Sequence, residues 1–173
     1  MNAEVAKAIV EFYTSSMENE AKTTAAVLAA VPDSGHGYKP DPKSRTAWEL
    51  ATHIASSDVW FLDSILAGNF GFDPAAENRV VSQFKNTADV VAYYNREYPA
   101  RLAKLRALPA EDLLKVVGFF GVMQAPNITY LGIANNHGIH HRGQLAAYLR
   151  AMGSKVPSIY GGSADEPMTA AAS

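Results

Sequence analysis

The sequence predicts an all-α fold, a four-helix bundle. Four long stretches repeat apolar residues at helical spacing. Pro- and Gly-rich segments separate them, and no run alternates convincingly with the period of a sheet. The first helix is expected over about residues 2–31. There Val5, Ile9, Phe12, Ser16, Ala26 and Val27 broadly follow the spacing, and Pro32-Asp33-Ser34-Gly35 stops it. A loop over 36–43 carries Pro40 and Pro42. The second helix opens with Thr46-Ala47-Trp48-Glu49, a capping box in which each polar side chain satisfies an exposed backbone donor of the other. Ser44 is the alternative N-cap. Ala47, Leu50, Ile54, Phe61 and Ile65 form its stripe, which ends near Gly68.

A loop through Gly71, Phe72, Asp73 and Pro74 leads to the third helix, starting at Asn86 or Thr87. It runs through Val90, Val91, Tyr94, Tyr98, Leu102 and Leu105 to Leu108, and Pro99 should bend or divide it. Before the last helix, residues 110–116 read as a short extra helix, and the apolar residues 118–123 as an extended segment. Asn127 reads as the N-cap of the fourth helix, which continues to Met152, with Gly153 as its C-cap. One domain is expected over residues 1–153. An irregular tail, 154–173, packs on it or leaves it, and residues 168–173 are the one low-complexity stretch.

At 173 residues the chain suits a single domain with a full core. Net charge is −2 and no basic block or stripe occurs, so nothing recommends nucleic acid as a partner. The N-terminus lacks the basic-then-apolar layout of a signal peptide, and no apolar run approaches the ~20 residues that cross a bilayer. A cytoplasmic protein without membrane partners is expected. The chain has no cysteine. Disulfides, thiolate metal sites and cysteine nucleophiles are excluded, so any metal is held by nitrogen and oxygen, and any thiol arrives as a cosubstrate.

Three of the five histidines fall in Asn136-His137-Gly138-Ile139-His140-His141-Arg142-Gly143-Gln144-Leu145. On a helix, Tyr130, Ala134, His137, His141, Leu145, Tyr148 and Met152 share a sector of roughly 80°. His137 and His141 therefore point where the apolar stripe points, one turn apart, and His140 lies to the flank. A lone inward histidine is usually satisfied by hydrogen bonds, but two together are costly to bury, and a divalent metal is the simplest solution. His53, at the edge of the stripe of the second helix, completes a three-histidine set. Its neighbours Glu49, Ser57 and Trp60 either support it or belong to the helix surface. His36, in a Gly-Tyr-Pro loop, reads as solvated. Three histidines without a fourth protein ligand describe an open site. Zinc or nickel suits the nitrogen donors, with iron, manganese or copper as alternatives.

With Glu49-Leu50-Ala51-Thr52-His53-Ile54, the histidine cluster and the ending Val156-Pro157-Ser158-Ile159-Tyr160-Gly161-Gly162-Ser163-Ala164-Asp165-Glu166, the chain resembles the DinB-like superfamily of damage-inducible metalloproteins over nearly its whole length. (The DNA polymerase that shares the name is distinct.) The resemblance implies a four-helix bundle of up-down-down-up order and a divalent metal on His53, His137 and His141. It also implies a homodimer. Members with known activity include bacillithiol-dependent transferases and mycothiol-dependent isomerases.

The primary expectation is therefore a metal-dependent thiol S-transferase that uses a low-molecular-weight thiol. Its electrophile would enter near Trp60, Tyr148 or Phe119-Phe120. Alternatives are a metal-dependent hydrolase or a non-enzymatic metal-binding stress-response bundle. A dimerisation module with a decayed site is disfavoured by the intact triad. Glu49, Tyr148 and Arg142 are the candidate catalytic residues. Arg142 either recognises substrate or, preferably, pairs with a carboxylate on another helix or on the tail. Gln144 either orients a ligand or is solvated.

Overall fold

The computed structural model describes residues 1–168; the end of the tail, 169–173, lies outside the described residues. Among the described residues, six α-helices and one two-stranded hairpin follow in the order α1 (Ala3–Ala29), α2 (Ala47–Ala67), α3 (Pro74–Val81), α4 (Thr87–Ala107), α5 (Ala110–Leu114), β1 (Val116–Phe119), β2 (Met123–Pro126) and α6 (Thr129–Leu149). The protein is mostly helical, and the hairpin corrects the all-α expectation. Four long helices form the body. Both α1 and α2 pack against α4 and α6. Met17 and Leu28 of α1, Leu50, Ile54 and Leu62 of α2, Leu102 and Leu105 of α4, and Leu145 and Leu149 of α6 meet in one core. Arg106 of α4 grips both carboxylate oxygens of Glu18 on α1, and Arg101 of α4 reaches Asp63 of α2 at 3.0 Å.

The caps explain where the helices begin. Asn2 accepts from the Val5 amide, and Asn86 from the Asp89 amide. Thr46 and Glu49 form the expected reciprocal box at α2, and Gly68 ends that helix at φ +61°. Pro99 does not divide α4, which is one uninterrupted helix. No helix among the described residues is long and apolar enough to cross a membrane.

Four local expectations need correction. The buried line of α1 is Ala6, Val10, Thr14, Met17, Ala21, Thr24, Val27 and Leu28; it keeps Val27 of the expected stripe but otherwise departs from it, so Phe12 stands 70% exposed. Residues 74–81 are helical, not loop: Asp73 accepts from the Ala75 amide, and Pro74 takes the first turn, where its missing donor costs nothing. Asn127 does not cap α6. It is fully buried, and its Nδ2 donates to the carbonyls of Ile65 and Asp112, tying the hairpin exit to α2 and α5. The expected last turn, through Met152, is a 3-10 turn over Arg150–Met152 that ends at Gly153 with φ +78°. The hairpin itself is antiparallel, pairing Val117 with Ala125 and Phe119 with Met123. Phe120 and Gly121 both have positive φ, as a tight primed turn demands. That turn sends Phe119 inward and lays Phe120 over Trp60.

Candidate metal centre

His53 on α2 and His137 and His141 on α6 come together in space. Each offers one ring nitrogen, and these atoms all lie within 4.8 Å of one another. Ring centroids are separated by 5.2 Å (His53–His137), 4.7 Å (His53–His141) and 4.4 Å (His137–His141). All three side chains are half-buried. They stand at the edge of the α6 core face, whose centre is the line Ala134, Gly138, Arg142 and Leu145. Tyr130, Ala134 and Leu145 of the expected sector are buried, whereas His137, His141 and Tyr148 each lie one position off the buried line. His140 is exposed on the flank. His36 lies apart and is not simply solvated: it stacks on Trp48 at 4.2 Å and meets Thr87 Oγ1 at 2.9 Å.

Burial pushes His53 down to about 3, aided by the charge of Arg45 and by the other two histidines. Burial also lowers His141, against the raising effect of its contact with Gln144. Both rings are therefore neutral near pH 7, the form that ligates a metal. His141 Nδ1 lies 2.7 Å from Gln144 Oε1, an oxygen that can only accept, so Nδ1 carries the proton and Nε2 keeps its lone pair.

His137 faces a residue absent from the sequence expectations. Asp58 is 3% exposed, and its Oδ1 lies 3.6 Å from His137 Nδ1. Neither atom has a hydrogen-bond partner among the described residues, while Asp58 Oδ2 accepts from the Tyr94 hydroxyl at 3.3 Å. Burial raises the Asp58 carboxyl, opposed by His137 and Tyr94. The helices meet closely here because residue 138 is glycine: a Cβ on it would stand 3.0 Å from Asp58 Oδ2. A readable signal existed, since Asp58 falls in register with the stripe Leu50, Ile54, Phe61 and Ile65.

The candidate catalytic residues are placed as follows. Glu49 lines an open polar cleft beside His53, but its carboxylate accepts the Thr46 amide at 2.7 Å. The Thr46 backbone and hydroxyl hold it below the usual carboxylate range. Tyr148 packs edge-on against Tyr38 and lines neither of the two clefts that open at the histidines. Arg142 is 1% exposed; it donates to the Glu20 carboxylate at 2.6 Å and to the Tyr160 hydroxyl of the tail at 2.7 Å.

Two clefts open at the histidines. One, of about 470 Å³, is walled by Trp60, Phe61, Phe72, Phe119 and Phe120, and His53 and His137 border it. The other, of about 430 Å³, is polar and bordered by Lys43, Ser44, Glu49, Asn78 and His53. Three clustered imidazoles, with Asp58 and Gln144 behind two of them, fit a divalent ion: carboxylate or amide oxygens behind ligand histidines fix the tautomer and ring orientation that ligation needs. The cluster could hold a metal ion.

Residues 1–170 match the sequence profile of the DinB family. YjoA of Bacillus subtilis is 28% identical over 118 residues, covering 68% of this chain and 74% of that protein. The crystal structure of YjoA, a DinB-like protein, superposes with a TM-score of 0.66 at 26% identity, covering 85% of this chain and 96% of that one. A DinB-like protein from Bacillus cereus shares the fold, with a TM-score of 0.69 at 24% identity over 87% of this chain and 97% of that one.

Proposed function

Given that the chain belongs to the DinB family, we propose that it is a divalent-metal-binding protein whose ion is held by His53, His137 and His141 with one position left open. The observation that carries this is the convergence of three ring nitrogens within 4.8 Å on two packed helices. Zinc or nickel suits the all-nitrogen set, ahead of iron, manganese or copper. The reading includes the up-down-down-up order for α1, α2, α4 and α6, a homodimer, a cytoplasmic location and a metal-binding unit over residues 1–153.

For the activity we propose thiol S-transfer with a low-molecular-weight thiol. A divalent ion at these nitrogens would lower the pKa of a thiol or water bound beside it. The chain's own residues supply the rest. His53 offers an unprotonated ring at neutral pH, Asp58 and Gln144 orient the other two rings, and the aromatic wall excludes water from one side. The hydrolase alternative is less well supported, because the candidate bases are engaged elsewhere: Glu49 in the α2 cap, Tyr148 against Tyr38.

Elemental analysis of purified protein tests the ligand set: wild type should carry one divalent ion per chain and His53→Ala none. Unchanged metal content in His53→Ala sinks the assignment. Metal-dependent conjugation of a small thiol to monochlorobimane tests the activity. Metal-linked thermal stabilisation without turnover with any thiol would favour the non-enzymatic stress-response reading instead.

A further inference from the structure

The two clefts at the histidines differ in chemistry, and their charges can be compared. Asp63 and Asp73 border the aromatic cleft, but each already faces an arginine, Arg101 at 3.0 Å and Arg79 at 3.5 Å. The remaining charged residues, Arg45 and Glu77, are opposite in sign and sit on the rim that both clefts share. Those two charges are not paired with each other, but they cancel in sum, so with the two arginines counted the lining of the aromatic cleft carries no net charge. Its walls are rings: Trp60 lies nearly parallel to Phe120 (centroids 6.0 Å, 16°), and Phe61 to Phe119 (6.3 Å, 12°). Trp60 is held in place by its indole N–H, which donates to the Gly71 carbonyl at 3.2 Å. A charged group placed against these ring walls would lose its hydration without gaining a partner there, whereas a flat apolar one gains ring contacts on several sides. The volume, about 470 Å³, lies in the range of pockets for small organic ligands.

We propose that this cleft binds an uncharged, planar, apolar small molecule, with its ring system along Trp60 and Phe120 and its reacting end against His53 and His137. Polar or charged molecules are left to the second cleft, on the Lys43 side of His53. The inference rests on the metal-centre reading for the claim that the bound molecule is a substrate; binding itself is independent of it.

The test titrates N-phenyl-1-naphthylamine, a neutral aromatic fluorophore, into metal-free and zinc-loaded protein, with 8-anilinonaphthalene-1-sulfonate as its anionic counterpart. The neutral probe should occupy one site per chain in both forms. Trp60→Ala removes one wall, and Ala76→Trp fills the cleft from α3 without deleting a packed group. Each should weaken neutral-probe binding roughly tenfold or more. The sulfonate should bind more weakly than the neutral probe. Phe12→Ser, which removes the exposed ring on α1, should change nothing. Neutral-probe binding that neither Trp60→Ala nor Ala76→Trp weakens overturns the proposal, as does sulfonate binding of equal strength that Ala76→Trp abolishes. Zinc uptake on the same samples separates the two ideas. Probe binding without zinc uptake supports the cleft and refutes the metal centre; zinc uptake without probe binding refutes the cleft alone.

Discussion

Asp58 occupies a register position that the apolar stripe of α2 would otherwise give to a leucine. Its orphaned Oδ1 faces an equally orphaned His137 Nδ1. A buried carboxylate is a stability cost unless something is gained, and under the proposed metal centre the gain is the orientation of the His137 ring. Asp58→Asn should therefore weaken metal binding about 10–100-fold, measured by chelator competition, while leaving the metal-free fold at least as stable in urea. Gly138→Ala should act in the same direction, because its Cβ would press on the Asp58 carboxylate. At this scale the three-histidine cluster was legible in advance: i,i+4 spacing fixes His137 and His141 on one face, and the position of His53 in α2 places it at the edge of its own stripe. Asp58 was not read. Periodicity says which face a side chain occupies, not which residue of another helix it will meet.

At the scale of elements, α6 is held both by its apolar face and by one buried cation. Arg142 joins Glu20 of α1 to Tyr160 of the tail, and Tyr160 in turn donates to Glu20 at 2.8 Å. Glu20→Gln leaves the guanidinium buried without its counter-charge and should cost about 3 kcal/mol of unfolding free energy in urea. At the start of α2, Thr46→Ala should cost about 1 kcal/mol. Its partner Glu49 has a folded-state value below the unfolded one. The stabilisation it adds is therefore present above the ordinary carboxylate range and is lost as pH falls through the lowered value. The stability gap between wild type and Glu49→Ala should accordingly narrow in denaturation curves as pH drops from 7 into the acid range. Long helices with apolar stripes and side-chain caps were legible. The helix α3 was not, because none of its residues is buried and so no stripe exists, although Asp73-Pro74 carried a start signal. Asn127 misled because a buried asparagine that bridges two carbonyls has the same sequence signature as a helix cap.

For the whole molecule, the histidines join helices far apart in sequence, so an ion bound there stabilises the folded chain by mass action. At a free metal concentration of about one hundred times Kd the gain is about 2.7 kcal/mol. A melting temperature that rises with zinc in wild type and stays flat in His53→Ala is the expected result, read by calorimetry. The two sides of the aromatic cleft also differ in how firmly they are held. The α2 side is anchored by fourteen buried positions, the α3 side by none. Amide protons of α3 should therefore exchange with deuterium through local openings far cheaper than global unfolding, while those of mid-α2 wait for the whole chain to open. Molecules that differ in bulk on the α3 side would then be sorted weakly. Those that differ where they touch α2 would be sorted sharply, so selectivity and tolerance fall on opposite banks of the same cleft.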